Sequence, residues 1–240
     1  MRLGRPHLPH SRRGWLLSGL GAGVVAVGLA YGGFAVLAGG SSPAPLALRP
    51  SSGTPQPVTG HVAGSWTVGP GSVAGYRVHE KLAILPAPSD AVGRTSQITG
   101  SATLVNSGST HTITAASFTV QVSTLASDRP MRDQRVHTLG LQTDTYPTAT
   151  FRLAQPITLP AAATGGQVVE VTATGPLTMH GVTRTEAIPL SLQLSGSTFE
   201  VVGSISFPWS EFGMSAPNFG DFVIVDNTAT MELDLKLVRS

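Results

Sequence analysis

From Ser65 onward the chain alternates apolar and polar residues with a period of two. Ile98, Gly100, Ala102 and Leu104 fall on one face. Phe118, Val120 and Val122 alternate with Thr119, Gln121 and Ser123. Ala149, Phe151 and Leu153 alternate with Thr150 and Arg152, and Val169, Val171 and Ala173 with Glu170 and Thr172. Ile188, Leu190, Leu192 and Leu194 share a face, as do Phe199, Val201, Ile205 and Phe207. Met231, Leu233, Leu235 and Leu237 alternate with Glu232, Asp234 and Lys236. Successive side chains of a strand point to opposite faces, so each stretch predicts a strand with one buried and one wet face. With Tyr76-Arg77-Val78 they number about eight, joined by Gly, Pro, Ser and Asn turns. Such a set builds either a sandwich or a closed barrel, and periodicity does not choose between them.

Three places break the period. Asp128 to Leu139 is rich in charge and carries Pro130 near its start; it predicts a short helix, N-capped by Asp128 and ending at Gly140. Trp209 to Met214 predicts a helical turn or tight bend after Pro208. Pro189 interrupts a strand pattern, which implies an edge position or a bulge.

The N-terminal quarter reads differently. Trp15 to Ala38 is an uncharged run of 24 residues. As a helix it would extend about 36 Å, against a hydrocarbon core of about 30 Å. Arg2, Arg5, Arg12 and Arg13 precede it, which favours a cytoplasmic N-terminus and an exported C-terminal region. The run exceeds the usual apolar stretch of a cleaved export signal, about 7–15 residues, yet Val36-Leu37-Ala38 offers a small-residue cleavage context. A retained anchor is expected, with a secreted form after cleavage as the alternative. Residues 39–60 hold Pro43, Pro45, Pro50, Pro55 and Pro57 among Ser, Thr and Gly, the composition of an extended linker. The expected organisation is a basic cytoplasmic tail over 1–14, a single-pass transmembrane helix or signal peptide over 15–38, the linker over 39–60 and one domain over 61–240.

Charge changes the picture once. The chain of 240 residues has 15 basic and 13 acidic residues, but five of the bases lie before residue 50 and no acid precedes Glu80. The remainder is net acidic and shows no basic patch, which argues against nucleic acid as a partner. There is no cysteine, which excludes disulfides, thiolate chemistry and lipid attachment at cysteine. Glycine-rich phosphate loops, HExxH, G-x-S-x-G and metal-ligand spacings are absent. His79 and Glu80 are neighbours on a strand and point apart. The chain therefore reads as a non-enzyme with no cofactor and no metal site. The Asp128, Arg129, Arg132, Asp133 and Arg135 cluster reads as a solvated helix with local ion pairs, or else as a grip for a headgroup or partner protein.

Four short patterns occur in one order. They are Asp128-Arg129-Pro130-Met131-Arg132-Asp133, Tyr146-Pro147-Thr148-Ala149-Thr150-Phe151, the run from Gly175-Pro176-Leu177-Thr178-Met179 through His180-Gly181-Val182-Thr183-Arg184, and Glu211-Phe212-Gly213-Met214 followed by Gly220-Asp221-Phe222-Val223. Embedded in alternating sequence over roughly Ser65 to Val238, they resemble the YceI-like family. Two departures stand out. Glu211 replaces the family's Asp in the D-F-G-M turn, without the basic residue that often precedes it. Leu85 to Arg94 is rich in Pro and Gly where the family has a hairpin.

The resemblance implies an all-β, antiparallel eight-stranded lipocalin-like barrel with one or two short helices, here preceded by the transmembrane helix. It also implies binding of an isoprenoid or another long-chain amphiphilic lipid outside a bacterial cytoplasmic membrane. The lumen-facing candidates are Phe118, Val120, Phe151, Leu153, Val171, Leu190, Leu192, Ile205, Phe207, Met231 and Leu233. Small residues at Gly100, Ala102, Ala173 and Gly203 favour free space inside. Two other classes stay open: a surface interaction module with a filled core, and a lipid-modifying isomerase or hydrolase.

Overall fold

The computed structural model describes residues 42–48, 62–83, 88–218, 220 and 222–240. The expected membrane span and most of the linker lie outside them. Among the described residues no helix is long and apolar enough to cross a membrane.

Among the described residues twelve strands form: β1 (Gly64–Val68), β2 (Val73–Leu82), β3 (Ser89–Thr95), β4 (Ile98–Ser107), β5 (Thr110–Gln121), β6 (Thr148–Arg152), β7 (Ile157–Leu159), β8 (Val169–Met179), β9 (Val182–Ser195), β10 (Thr198–Pro208), β11 (Val223–Val225) and β12 (Thr228–Arg239). A short helix, α1 (Pro130–Arg135), continues into a wider turn over Val136–Gly140.

The twelve segments reduce to eight paths. β1 and β2 follow one another along the same edge of β12, with Thr67 opposite Val238 and Ala74 opposite Leu233. β3 and β4 pair with β2 and β1 in turn. β6 and β7 both pair with β5. Each path is antiparallel to the next, and β12 returns to β1. The result is a closed up-and-down barrel of eight paths, which removes the sheet edges that would otherwise invite association. β11 extends the wall at the far end of β2.

Alternation then sorts the side chains. Two buried apolar clusters fill the two ends. One gathers around Trp66, whose ring meets Phe199 edge-on at 4.6 Å and whose Nε1 donates to the Val62 carbonyl at 3.0 Å. The other gathers around Phe207, Trp209, Phe212 and Met214.

Local details follow from residue chemistry. β8 and β9 are joined by His180-Gly181, both left-handed (φ 50° and 72°), as a tight two-residue hairpin requires. Pro189 pairs with Thr172 of β8, while β9 meets β10 only from Leu190 onward. The proline thus sits where the β9–β10 ladder ends, which is the edge position its missing N–H demands. Asp128 does not cap α1. Arg129 occupies the cap position without a side-chain bond, Pro130 opens the helix, and Asp133 accepts from the Ser127 amide at 2.8 Å. Proline at the first helical position needs no donor satisfied there, so Asp128 is free to pair with Arg132. Leu85 to Arg94, rich in Pro and Gly where the family has a hairpin, still supplies most of β3, which pairs with β2 from Glu80 to Ala74.

The outer wall of β2, β3 and β12 carries an ionic group. Arg77 bonds Asp90 at 2.8 Å and Glu232 at 2.5 Å, and Arg94 reaches Glu232 at 3.5 Å. Part of the stretch read as linker covers it: Arg77 donates to the Pro43 carbonyl at 2.8 Å, Arg94 to that of Ala44 at 2.6 Å, and Ser42 to that of Asp90 at 2.6 Å.

Candidate functional site

The barrel is not packed solid. A cavity of about 110 Å³ lies within it, and its lining is almost wholly apolar. β5 contributes Phe118 and Val120, and the β6 path contributes Phe151 and Leu153. Val171 comes from β8, Leu190 and Leu192 from β9, Met231 and Leu233 from β12. A second cavity of about 60 Å³ lies toward the Phe212 end and is lined by Phe207, Trp209, Met214 and Leu141 among others. Ala74, Val120, Ala149 and Met231 line both, so the two spaces adjoin.

Nine of the eleven expected lumen residues therefore line the first cavity and Phe207 lines the second. Ile205 lines neither and packs, partly buried, against the cluster around Phe207 and Phe212. Sequence reasoning passed over several liners that share the same faces, including Ile98, Ile188, Leu235 and Leu237. Ile113 could not be found by counting. A bulge between Thr103 and Leu104 shifts the register, so that Ala115 faces Thr103 but Ile113 faces Leu104, and the step re-aims Ile113 inward.

Polar groups are few at these walls. Glu232 borders the first cavity, but its carboxylate is bound to Arg77 and Arg94. Tyr76 and Thr230 border the second. Burial holds the Tyr76 phenol well above its usual range, against the pull of Arg132. Among the described residues no group of three or more His, Asp or Glu side chains gathers as a metal site would need.

The charged cluster on α1 is more than a solvated face, which corrects the expectation. Arg132 donates to Glu80 at 2.7 Å and also pairs with Asp128. Glu80 is only 7% exposed. Burial disfavours the Arg132 charge, but the bonds to Glu80 and Asp128 outweigh it and hold the guanidinium above its ordinary value. The pair spans 52 residues of sequence and ties α1 to β2. His79, its neighbour, points away and pairs with Asp90.

A model of the YceI-like domain matches residues 71–237. The chain belongs to the YceI-like family. Solved structures share the fold at low identity. A polyisoprenoid binding domain from Saccharophagus degradans, implicated in plant cell wall breakdown, superposes with a TM-score of 0.56 at 15% identity, covering 74% of this chain and 99% of its own. BcnA from Burkholderia cenocepacia gives 0.50 at 18%, covering 68% and 95%. No curated protein sequence matches the chain.

The motifs shared with YceI-like proteins turn out to be largely a clasp. His180 Nδ1 donates to the Phe212 carbonyl at 3.2 Å. Nε2 lies 3.0 Å from Gln142 Oε1, and the Tyr146 ring lies against the imidazole, tilted by 54° with centroids 4.4 Å apart. Gln142 is itself left-handed (φ 47°). One imidazole thus holds three loops at one end of the barrel, with Phe212 and Met214 buried beneath the bend as expected. Asp221 of the last motif lies outside the described residues.

Glu211 stands in for the family's aspartate. Arg184 donates to its backbone carbonyl at 3.1 Å, and its carboxyl meets that of Glu186. Partial burial, then the Glu211 charge and hydrogen bond, raise the Glu186 carboxyl above its ordinary value of 4.5. A carboxyl raised in the folded state contributes stability below its unfolded pKa and loses it as pH rises through the folded one. Glu186→Gln is therefore expected to raise the melting midpoint at pH 7 relative to wild type, with little difference near pH 4. Equal shifts at both pH values would refute the carboxyl pairing.

Proposed function

We propose that this YceI-like barrel binds one long-chain amphiphile, an isoprenoid or similar lipid, in its lumen and carries or stores it without chemical change. The observation that carries this reading is the apolar cavity enclosed by the strand faces, adjoining a second of the same character. Each buried CH₂ contributes about 0.8 kcal/mol, so ten would contribute about 8 kcal/mol before ordering costs. The Saccharophagus degradans relative, a polyisoprenoid binding domain by name, supports the choice of lipid class. A binding role also fits the walls: Glu232, the carboxylate nearest the first cavity, is committed to arginines, and the lining offers no acid–base pair. The 15–38 segment would hold the barrel outside the cytoplasmic membrane, within reach of its ligand's source.

The test is extraction of the full chain purified from the membrane fraction of its own host, followed by mass spectrometry. About one prenyl or acyl lipid per chain is expected. Protein that yields no lipid and takes up none when offered polyprenol would overturn the reading.

A further inference from the structure

Tyr76 of β2 borders the second cavity, and its phenol oxygen is buried without a hydrogen-bond partner among the described residues. Buried hydroxyls are nearly always paired, so one that is not asks for an explanation. The ring is not there by loose packing. A Cβ on Gly93 would come within 2.3 Å of the Tyr76 ring and 2.9 Å of its hydroxyl. The bare Gly93 backbone is thus the seat on which the ring lies, and it fixes where the hydroxyl is presented.

The charged groups around that hydroxyl are Arg132, Asp133, Glu80 and Asp128. Arg132 is engaged by Glu80 and Asp128, which it shares with Arg129. Asp133 takes the Ser127 amide. The cation nearest that hydroxyl is therefore already committed to carboxylates. An anionic headgroup would find the Arg132 guanidinium already bound by carboxylates, which it would have to displace. A neutral oxygen would meet a donor with nothing to donate to. Burial keeps the phenol protonated, so that it acts as a donor.

We propose that Tyr76 is the polar end of the lipid site, donating its O–H to an uncharged oxygen, an alcohol or carbonyl, at the head of the ligand, and that the carboxylates around Arg132 disfavour phosphate-headed lipids. This rests on the lumen-binding reading. It places the head in the second cavity and the chain in the first, across the border formed by Ala74, Val120, Ala149 and Met231.

The test uses the delipidated full chain and three probes of equal prenyl length: the polyprenol, its monophosphate and the corresponding hydrocarbon. Wild type is expected to bind the alcohol about three- to tenfold tighter than the hydrocarbon, the range one net hydrogen bond supplies, and to bind the monophosphate more weakly than the alcohol. Tyr76→Phe should erase the alcohol's advantage, leave hydrocarbon affinity as it was, and leave the melting midpoint unchanged or raised. The proposal is overturned by an alcohol preference that survives in Tyr76→Phe, by a monophosphate that outbinds the alcohol in wild type, or by a fall in the Tyr76→Phe midpoint, which would reveal a structural partner for the hydroxyl. Hydrocarbon binding without any alcohol preference would retire the headgroup site and leave the lumen reading intact. Binding of none of the three would retire both.

Discussion

Replacing Leu192 with tryptophan is expected to empty the barrel of lipid while leaving it folded. Leu192 sits near the Ser195 end of β9, opposite Val169 of β8 and Val201 of β10, and is 2% exposed. Its side chain borders the first cavity. In a filled core the added ring would cost about 1–3 kcal/mol through overpacking. Beside about 110 Å³ of free space the ring has somewhere to go, and the cost should fall below that range. The ligand then loses the volume the ring takes. Displacing about four CH₂ groups removes about 3 kcal/mol, more than a hundredfold in affinity. Lipid content by mass spectrometry and thermal melting read the two effects separately. A variant that retains wild-type lipid would place the ligand outside the lumen. A variant that loses 1–3 kcal/mol, from a wild type that never carried lipid, would instead favour the interaction-module reading.

What could be read from the sequence, and what could not, follows from the range of the interactions. Alternation is local, so the inner faces of β5, β8, β9, β10 and β12 were legible, and with them most of the cavity wall. Closure is not local. It depends on β1, five residues long, bridging β12 through Thr67 and Val238 and β4 through Ser65 and Thr103. Nothing in Gly64-Ser65-Trp66-Thr67-Val68 announces those partners. β3 was hidden by its Pro-rich approach, and Ile113 by a bulge that only the paired strand reveals. The Arg132–Glu80 bond joins residues 52 apart, which is why the charge cluster read as a solvated helix. Tyr76 was legible as a strand residue, but an unpaired hydroxyl is a property of its surroundings and leaves no mark in the chain.

The same clasp that holds the loops at the Phe212 end sets the largest expected loss of stability. Phe212 is fully buried, and its ring meets Phe207 edge-on at 4.9 Å. It ends the single helical turn Trp209–Phe212, which Pro208 leads into and the left-handed Gly213 (φ 68°) closes. Its carbonyl accepts from His180, and the Met214 amide bonds back to Trp209 at 3.0 Å. The backbone is thus pinned on both sides and cannot collapse into the space a truncated side chain leaves. Phe212→Ala should therefore fall in the upper range for large-to-small core changes, about 3–5 kcal/mol. Set against a typical domain stability of about 5–15 kcal/mol, that lowers the midpoint by roughly 6–20 °C. Met131→Ala is the control: that side chain lies on α1 at the same end of the barrel but is 65% exposed, and its loss should stay within about 0.5 kcal/mol. Urea melts of the two variants beside wild type give the comparison. A Phe212→Ala protein that loses no more than Met131→Ala would mean the bend is not what closes this end of the barrel.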